Sequence, residues 1–527
     1  MKNLTTSIYD FEKLRKADYL YVDKTDYIWH LIDPPGESYF LSRPRRFGKS
    51  LLISTLKAIF EGKKELFQGL AIYDKPYDWR QYPVIHLDFK DYMSTKDTVK
   101  KVDAYLLDKV ATVAKAYSIP LPLDCDASTA FDELVDAMSK EGKVVILVDE
   151  YDKPVFENIM NVEHGNGIFR LMQNFYGIIK HCQHHIRLAF LTGERKFALA
   201  DHLWGGLNNL TDITMDSDYA GMLGFTEAEV RGCFADRIME AAKVHGLSEE
   251  ELMRRLMEWY DGYRFSEADI HVCNPVSIST FFHKEYRFSN YWGTTGATTL
   301  LFELAKTTRF DFEQAFTIRV SSLAFGAYEV ENIDPLGLLW QTGYLTIKEV
   351  LPGSMGSSMF RLGFPDHEVE EAFNTQLLAY YSGYKDAAMS SVVFRLTDAM
   401  RRDEVEQFMT TLQSYFASIP YDIRGGDEHY YQTIFFITFL LLGSSTEAES
   451  RTNQGRIDAY IRTAKAVYIF EFKLDRSTDE AVGQILDRRY YEKFQNCGLP
   501  IRLIGVNFDS TKGRIDGWEE GTLASVK

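Results

Sequence analysis

Short apolar runs alternate with amphipathic stretches through the N-terminal part of the chain. Tyr39-Phe40-Leu41, Tyr82 to Phe89, Val144 to Val148 and Arg187 to Gly193 read as strands, with Thr211 to Thr214 a further short one. The unbroken aliphatic run from Val144 to Val148 is the pattern of a strand buried on both faces of a parallel sheet. Between these runs the apolar positions take helical spacing. The expected helices are Leu51 to Phe60, Thr98 to Ala116, Ala127 to Lys140 with Phe131, Leu134, Val135 and Met138 on one face, and Asn166 to Ile179. Strands alternating with helices predict an α/β fold with a doubly wound parallel sheet.

From Thr226 to about Lys284 the pattern turns helical and includes a helix from Leu252 to Tyr260. Asn274 is the expected N-cap of another helix, with Pro275 at its first position. A helix is expected from Thr298 to Phe316, and Leu336 to Ile347 reads as a helix end turning into a strand. Gly353 to Ser358 is a hairpin tip, with Met359 to Phe364 the return strand, and Val369 to Tyr381 is helical again. A soft boundary near Gly383 to Ala388 precedes helices Arg401 to Ala417 and His429 to Leu442. Then comes a β-rich block. Its strands are Gly455 to Ile461 and Ala466 to Lys473, followed by a helix from Thr478 to Phe494 and a last strand from Ile501 to Phe508.

At 527 residues the chain is too long for a single core. Its hydrophobic content of 45% and charged content of 26% are those of a folded globular protein. The five cysteines are scattered without a CxxC pair, which reads as a reducing, intracellular setting. No signal peptide is visible after Met1, and the longest apolar run, Ile434 to Leu442, is too short to span a bilayer. A cytoplasmic location without membrane contact is expected. The net charge of −17 excludes a protein that coats nucleic acid generally. From Arg451 to Lys527, however, 13 Lys and Arg face 11 Asp and Glu, so the C-terminal block permits a polyanionic substrate.

Candidate chemistry begins at the end of the first strand. Arg43-Pro44-Arg45-Arg46-Phe47-Gly48-Lys49-Ser50 leads straight into a helix at Leu51. A strand, a tight loop and a helix N-terminus is the layout of a P-loop. Backbone N–H groups face phosphates, Lys49 reaches the terminal phosphates, and Ser50 takes a Mg²⁺ ligand position. Arg43 stands where the full G-x-x-x-x-G-K-[ST] pattern has its first glycine. Asp149 and Glu150 close an apolar strand expected at the same sheet edge: Asp149 to bind Mg²⁺, Glu150 to polarise the attacking water. Thr192, at the tip of the following strand, is placed to sense the terminal phosphate. Arg43, Arg45 and Arg46 fit three roles equally: stabilising phosphate charge, contacting a neighbouring subunit, or forming surface ion pairs.

A second constellation lies in the β-rich block. Glu471 and Lys473 are two apart on one strand and leave it from the same face; Asp458 sits on the preceding strand. Two carboxylates that share a Mg²⁺ can activate water for attack on a phosphodiester, with a lysine to offset charge in the transition state. The D-x12-E-x-K spacing is weak by itself. It gains from Tyr468-Ile469-Phe470, an apolar run in which a charge at Glu471 is costly unless used or paired. Gln484 and Arg488 lie one turn apart on the next helix. Glu428 and Glu449 are further candidate ligands, and read more readily as surface carboxylates.

With these strings in place the chain resembles the bacterial AAA-ATPase-like family that carries a C-terminal domain of the PD-(D/E)XK nuclease superfamily. The matching strings are Tyr21 to Thr25, Arg43 to Ser50, Val148 to Pro154, Gly206 to Leu210, Trp259 to Phe265 and Gln341 to Thr346, then Gly455 to Asp458, Glu471 to Lys473 and Gln484-Ile485. In that family Arg-Pro-Arg-Arg-Phe-Gly-Lys-Ser is the usual loop, while Glu194-Arg195 replace its usual small or aliphatic residues after Gly193. The resemblance implies a P-loop domain over 1–223, a helical or winged-helix lid and connector over 224–385, and a restriction-endonuclease-like α/β domain over 386–527. It implies ATP and Mg²⁺ as cofactors, with Arg43, Arg45, Arg46, Phe47, Gly48, Lys49, Ser50, Leu51, Asp149 and Thr192 around the nucleotide. DNA or RNA is the expected partner of the C-terminal domain, and a second copy of the chain is a further candidate partner.

Overall fold

The computed structural model describes residues 2–93, 97–158, 162–197, 209–293, 301–304, 308, 310, 318–326, 333–383, 386–419, 434, 438, 446–448, 451–452, 455–456, 459–521 and 523. Asp458, Glu428, Glu449 and Gly206-Leu207-Asn208 lie outside the described residues, as do most positions of the expected helices at 298–316 and 429–442. The chain divides into two compact units, 1–295 with 315–369, and 296–314 with 370–527.

The first unit is built on five parallel strands, β1 (Glu37–Ser42), β2 (Val84–Asp88), β3 (Val144–Asp149), β4 (Ile186–Gly193) and β5 (Thr211–Asp212), in the order β2-β3-β4-β1-β5. β3 and β4 are buried along their whole lengths, which is why hydrophobicity does not alternate in their sequences. β4 separates β1 from β3. The registers Ser42↔Gly193, Val148↔Leu191 and Asp88↔Asp149 bring the C-terminal ends of four strands to one edge. That edge is where open α/β sheets bind their ligands. Helices Lys49–Phe60, Val99–Ala116, Ala127–Ser139 and Val162–His181 complete the doubly wound arrangement.

The residues that follow in this unit form the lid. Helices Glu227–Cys233, Ala235–His245, Glu249–Tyr260 and Pro275–His283 share a core that includes Phe234, Leu252, Leu256, Tyr260 and Phe281. Asn274 caps its helix as expected, accepting from the N–H groups of Val276 and Ser277. Three antiparallel strands follow, β6 (Arg319–Ser321), β7 (Thr346–Pro352) and β8 (Ser358–Gly363), in the order β6-β8-β7. β7 and β8 are the expected hairpin, with Ser354–Gly356 at its tip.

In the second unit, helix Asp386–Arg402 was not among the expected elements, and the expected helix from Arg401 begins instead at Val405 and runs to Ser418. Asp403 breaks the two apart at φ 66°; the Glu404 N–H reaches back to the Ala399 carbonyl at 2.9 Å, a left-handed helix stop of the kind Asp tolerates. The stretch expected as one strand from Gly455 contributes to two ladders. β10 (Arg451–Thr452) pairs with β11 (Gly455–Arg456), whereas β12 (Ala459–Arg462) joins the main sheet. That sheet has the order β15-β14-β13-β12-β9, from β9 (Thr446–Ala448), β12, β13 (Val467–Leu474), β14 (Ile501–Asp509) and β15 (Arg514–Gly521). Only the β13–β14 pair is parallel, with helix Thr478–Asp487 in the connection. This helix is shorter than expected because Arg489, at φ 54°, turns the chain into a tight turn over Tyr490–Phe494. Gly505 lets the helix lie close on β14: a Cβ there would stand 2.6 Å from the Thr478 carbonyl oxygen. Among the described residues no helix is long and apolar enough to cross a membrane.

Candidate functional site

The loop after β1 is held open to the cleft by its backbone. Gly48 caps helix Lys49–Phe60 at φ 99°, where any side chain is strained. Gly48, Lys49 and Ser50 then line a cleft of about 410 Å³ at the C-terminal edge of the sheet, together with Glu150, Glu194 and Arg195. Asp149 ends β3 and is buried. Burial raises its carboxyl to about 6, against the Ser50 hydrogen bond and the Lys49 charge, which pull it down. Lys49 is buried too, and its ammonium donates to the carbonyls of Arg43 and Pro44 at 2.8 and 2.9 Å. Burial lowers the Lys49 pKa, opposed by Glu194, Asp149 and Glu150. Glu150 sits at φ 52° at the strand end, 3.6 Å from Lys153. The structure therefore brings Lys49, Ser50, Asp149 and Glu150 together, as their strand ends predict.

Arg43 and Thr192 stand away from the cleft, and Phe47 and Leu51 line an apolar cavity beside it. Arg43 is neither a surface ion pair nor part of the cleft lining: it is 1% exposed, donates to the Ser42 and Thr214 carbonyls and lies 4.3 Å over the Phe265 ring. Burial lowers its pKa to about 9. Phe47 is buried edge-on against Tyr263 and Phe265, so the Trp259 to Phe265 string grips the loop. Thr192 is buried, and its hydroxyl donates to the Leu41 carbonyl at 2.8 Å. The cleft receives instead the two residues that follow Gly193. Glu194 accepts from Arg45 Nε at 2.8 Å and lies 3.2 Å from Arg195 Nη2; Arg195 also lies 3.4 Å from the buried Asp152. Both had a signal in the sequence as departures from the family's small residues. Lys90, also at the cleft, had none.

Other loop contacts come from the lid. Arg46 Nη1 donates to the Tyr291 carbonyl at 3.0 Å, and Asn274 Nδ2 to the Arg45 carbonyl at 3.3 Å. Gly343, at φ 86°, comes so near Pro44 that a Cβ would stand 2.6 Å from the Pro44 ring. The Gln341 to Thr346 string thus supports the loop. The Tyr21 to Thr25 string is likewise structural: Asp23 accepts from Thr25 and Ala71, and Lys24 pairs with Glu229 at 2.6 Å. Beside the cleft lies a smaller, mainly apolar cavity of about 130 Å³, lined by Ile8, Val22, Leu51 and Leu223. Tyr9, Arg46 and Gly48 line both spaces.

In the second unit Glu471 is 1% exposed on β13, one residue beyond the Ala459↔Phe470 pair that ends the β12 ladder. Lys473 Nζ bonds Glu471 Oε1 at 2.8 Å and Gln484 Oε1 at 2.7 Å, and Gln484 Nε2 reaches the Tyr490 hydroxyl at 3.4 Å. Asp458 cannot be joined to this cluster, since it lies outside the described residues. Among the described residues no three His, Cys, Asp or Glu side chains converge as a metal site. Two protein ligands are enough for Mg²⁺ that also takes phosphate oxygens and waters, and the hydrogen-bonded pair of the half-buried Ser50 and the buried Asp149 fits that mode.

A glycine-capped phosphate loop, with β4 placed between the loop strand and the Asp149 strand, makes the first unit a P-loop NTPase. A family model described as "Predicted AAA-ATPase" matches residues 5–202, and one described as "PD-(D/E)XK nuclease superfamily" matches residues 426–518. A relative from Azotobacter chroococcum mcd 1, titled "Uncharacterized protein in vnfD 5'region", is 34% identical over 98% of both chains. The chain belongs to this family of bacterial AAA-ATPase-like proteins with a C-terminal PD-(D/E)XK nuclease-superfamily domain.

Proposed function

We propose that the protein is an ATPase whose nucleotide cycle regulates a Mg²⁺-dependent nuclease domain acting on DNA or RNA. The observation that supports the first half is that Lys49, Ser50 and Glu150 line one cleft at the end of a parallel sheet, with the buried Asp149 hydrogen-bonded to Ser50 behind them. Lys49, which now donates to two carbonyls, would hold the terminal phosphates, Ser50 and Asp149 would hold the metal, and Glu150 would orient the attacking water. When bound, Mg²⁺ supplies positive charge that offsets charge on the phosphates. The apolar cavity suits the base, because Tyr9, Arg46 and Gly48 connect it to the phosphate cleft.

In the C-terminal domain Glu471 would hold the metal, with Asp458 as its expected partner, and Lys473 would orient water or offset phosphate charge. One observation favours a second reading, a nucleotide-controlled switch whose tail binds nucleic acid or a partner without cutting. Glu471 is buried and its carboxylate is already engaged by Lys473. Cleavage of single- and double-stranded DNA and RNA, with and without ATP, separates the two in the wild type, Lys49→Ala and Glu471→Ala. Mg²⁺-dependent cutting that Glu471→Ala abolishes and Lys49→Ala frees from ATP control is expected. Cutting that survives Glu471→Ala, or none in any nucleotide state, rejects the nuclease. ATP hydrolysis that Lys49→Ala leaves unchanged rejects the ATPase.

A further inference from the structure

The phosphate cleft contains an anion of its own. The Glu194 side chain is nearly buried, with Arg45 Nε at 2.8 Å on one side and Arg195 Nη2 at 3.2 Å on the other. Its backbone is fixed as well. The N–H donates to Asp152 Oδ1 at 3.2 Å, and the carbonyl accepts from the Ser42 hydroxyl at 2.7 Å. Burial alone would raise the Glu194 carboxyl, but Arg195, Arg45 and Lys49 outweigh it and hold the group below the ordinary range. It is therefore ionised at neutral pH. Glu194, both arginines, Lys49 and Ser50 line one cleft.

A carboxylate offers a guanidinium the same paired anionic oxygens that a phosphate does, and Arg side chains bind both through the same fork. ADP and ATP share every group up to the second phosphate, and only ATP brings a third. We propose that Glu194 sets the preference between ATP and ADP: its carboxylate competes with the terminal phosphate for Arg45 and Arg195, and ATP binds by displacing it. The proposal rests on the nucleotide reading of this cleft. ADP leaves the two Glu194 pairs in place, whereas ATP breaks them and frees the segment after β4. That segment is tied to the lid, since the Lys196 N–H donates to Gln341 Oε1 at 2.8 Å, beside the Gly343 that packs on Pro44.

The test is calorimetric titration of the full chain with ADP and with a non-hydrolysable β,γ-imido ATP analogue, in the wild type, Glu194→Gln and Lys49→Ala. Glu194→Gln is expected to tighten the ATP analogue about tenfold while ADP changes less than about twofold, the size of one charge-assisted hydrogen bond. Equal changes for both ligands, or an unmoved ratio between them, overturn the proposal. Its failure is distinct from failure of the underlying reading. If the wild type binds neither ligand, or Lys49→Ala binds both as well as the wild type, the nucleotide site falls and the proposal with it. Lys49-dependent binding with an unmoved ratio in Glu194→Gln overturns the competitor alone. Should Glu194→Gln lose cooperative unfolding, Glu194→Asp carries the test, because it keeps the charge but shortens its reach. A smaller ratio shift in the same direction then supports the proposal, and no shift overturns it.

Discussion

Lys49 and Lys473 each stand at the edge of a parallel strand pair, and they are held in opposite ways. Lys49 rests on two neutral carbonyls, while the carboxylate nearest in charge, Glu194, is paired with arginines. Lys473 rests on Glu471 itself, the group proposed to hold a metal. The first site keeps a cation available and neutralises its own anion elsewhere, which suits an incoming polyanion. The second uses its cation to neutralise its anion, which makes the buried carboxylate tolerable but leaves the ligand engaged.

This contrast is sharpest in stability. Lys473→Met leaves Glu471 buried beside a methionine, and removing one partner of a buried pair costs about 3 kcal/mol. Lys49→Met strands no carboxylate in the same way and removes a desolvated charge, so a change within about 1 kcal/mol is expected. Chemical denaturation of both full-length variants measures the difference, and equal losses would remove the distinction between the two lysines. A smaller effect separates the glycines that support the sites. Gly343→Ala strains a left-handed position against Pro44, and Gly505→Ala pushes the Gln484 helix off β14; each is expected to cost about 2 kcal/mol. The first should weaken nucleotide binding alone and the second nucleic-acid cleavage alone, read by titration and cleavage assays on the same preparations. A crossed effect would mean the two supports are not local.

Much of this was legible because burial writes itself into sequence. The aliphatic run of β3 could only be a strand buried on both faces, so Asp149 had to leave its end. The cap at Asn274 and the hairpin after Thr346 were equally plain, since their turn and cap residues act locally. Glu471 was marked by a charge closing an apolar run. What sequence withheld depends on neighbours far along the chain. Thr192 turns to Leu41 because of the β1–β4 register, and Arg43 is buried because Phe265 and the Thr214 carbonyl meet it. The polar, Gly-containing β15 has no apolar alternation to announce it, and it pairs with β14 as the first strand in the sheet order. Asp403 breaks a helix at a residue with no helix-stop signature.

The comparison extends to proton uptake. Unlike Glu194, two buried carboxyls in the first unit are raised: Asp149 to about 6, and Glu368 to about 7, because burial outweighs the Ser277, Tyr291 and Trp292 donors and the Arg46 charge that favour its ionised form. Asp366 beside it is raised in the same direction by burial and by Glu368. In the second unit Asp403 is lowered, since its bonds to Arg502 and Tyr468 overcome burial. A raised carboxyl favours the folded state below its unfolded pKa, and that contribution is lost as pH rises through the folded value. A lowered one contributes above its unfolded pKa and loses that only as pH falls. Between pH 5 and 8 the first unit should therefore lose stability while Asp403 contributes no change. Hydrogen exchange, corrected for its intrinsic pH dependence, should show β3 and β4 amides losing protection over that range, with β13 and β14 flat. Glu368→Gln, which mimics the protonated form, is expected to match the wild type at pH 5 and to have a shallower slope in β3 and β4. An unchanged slope would show that Glu368 does not take up the proton. A parallel slope in β13 and β14 would erase the difference between the two units.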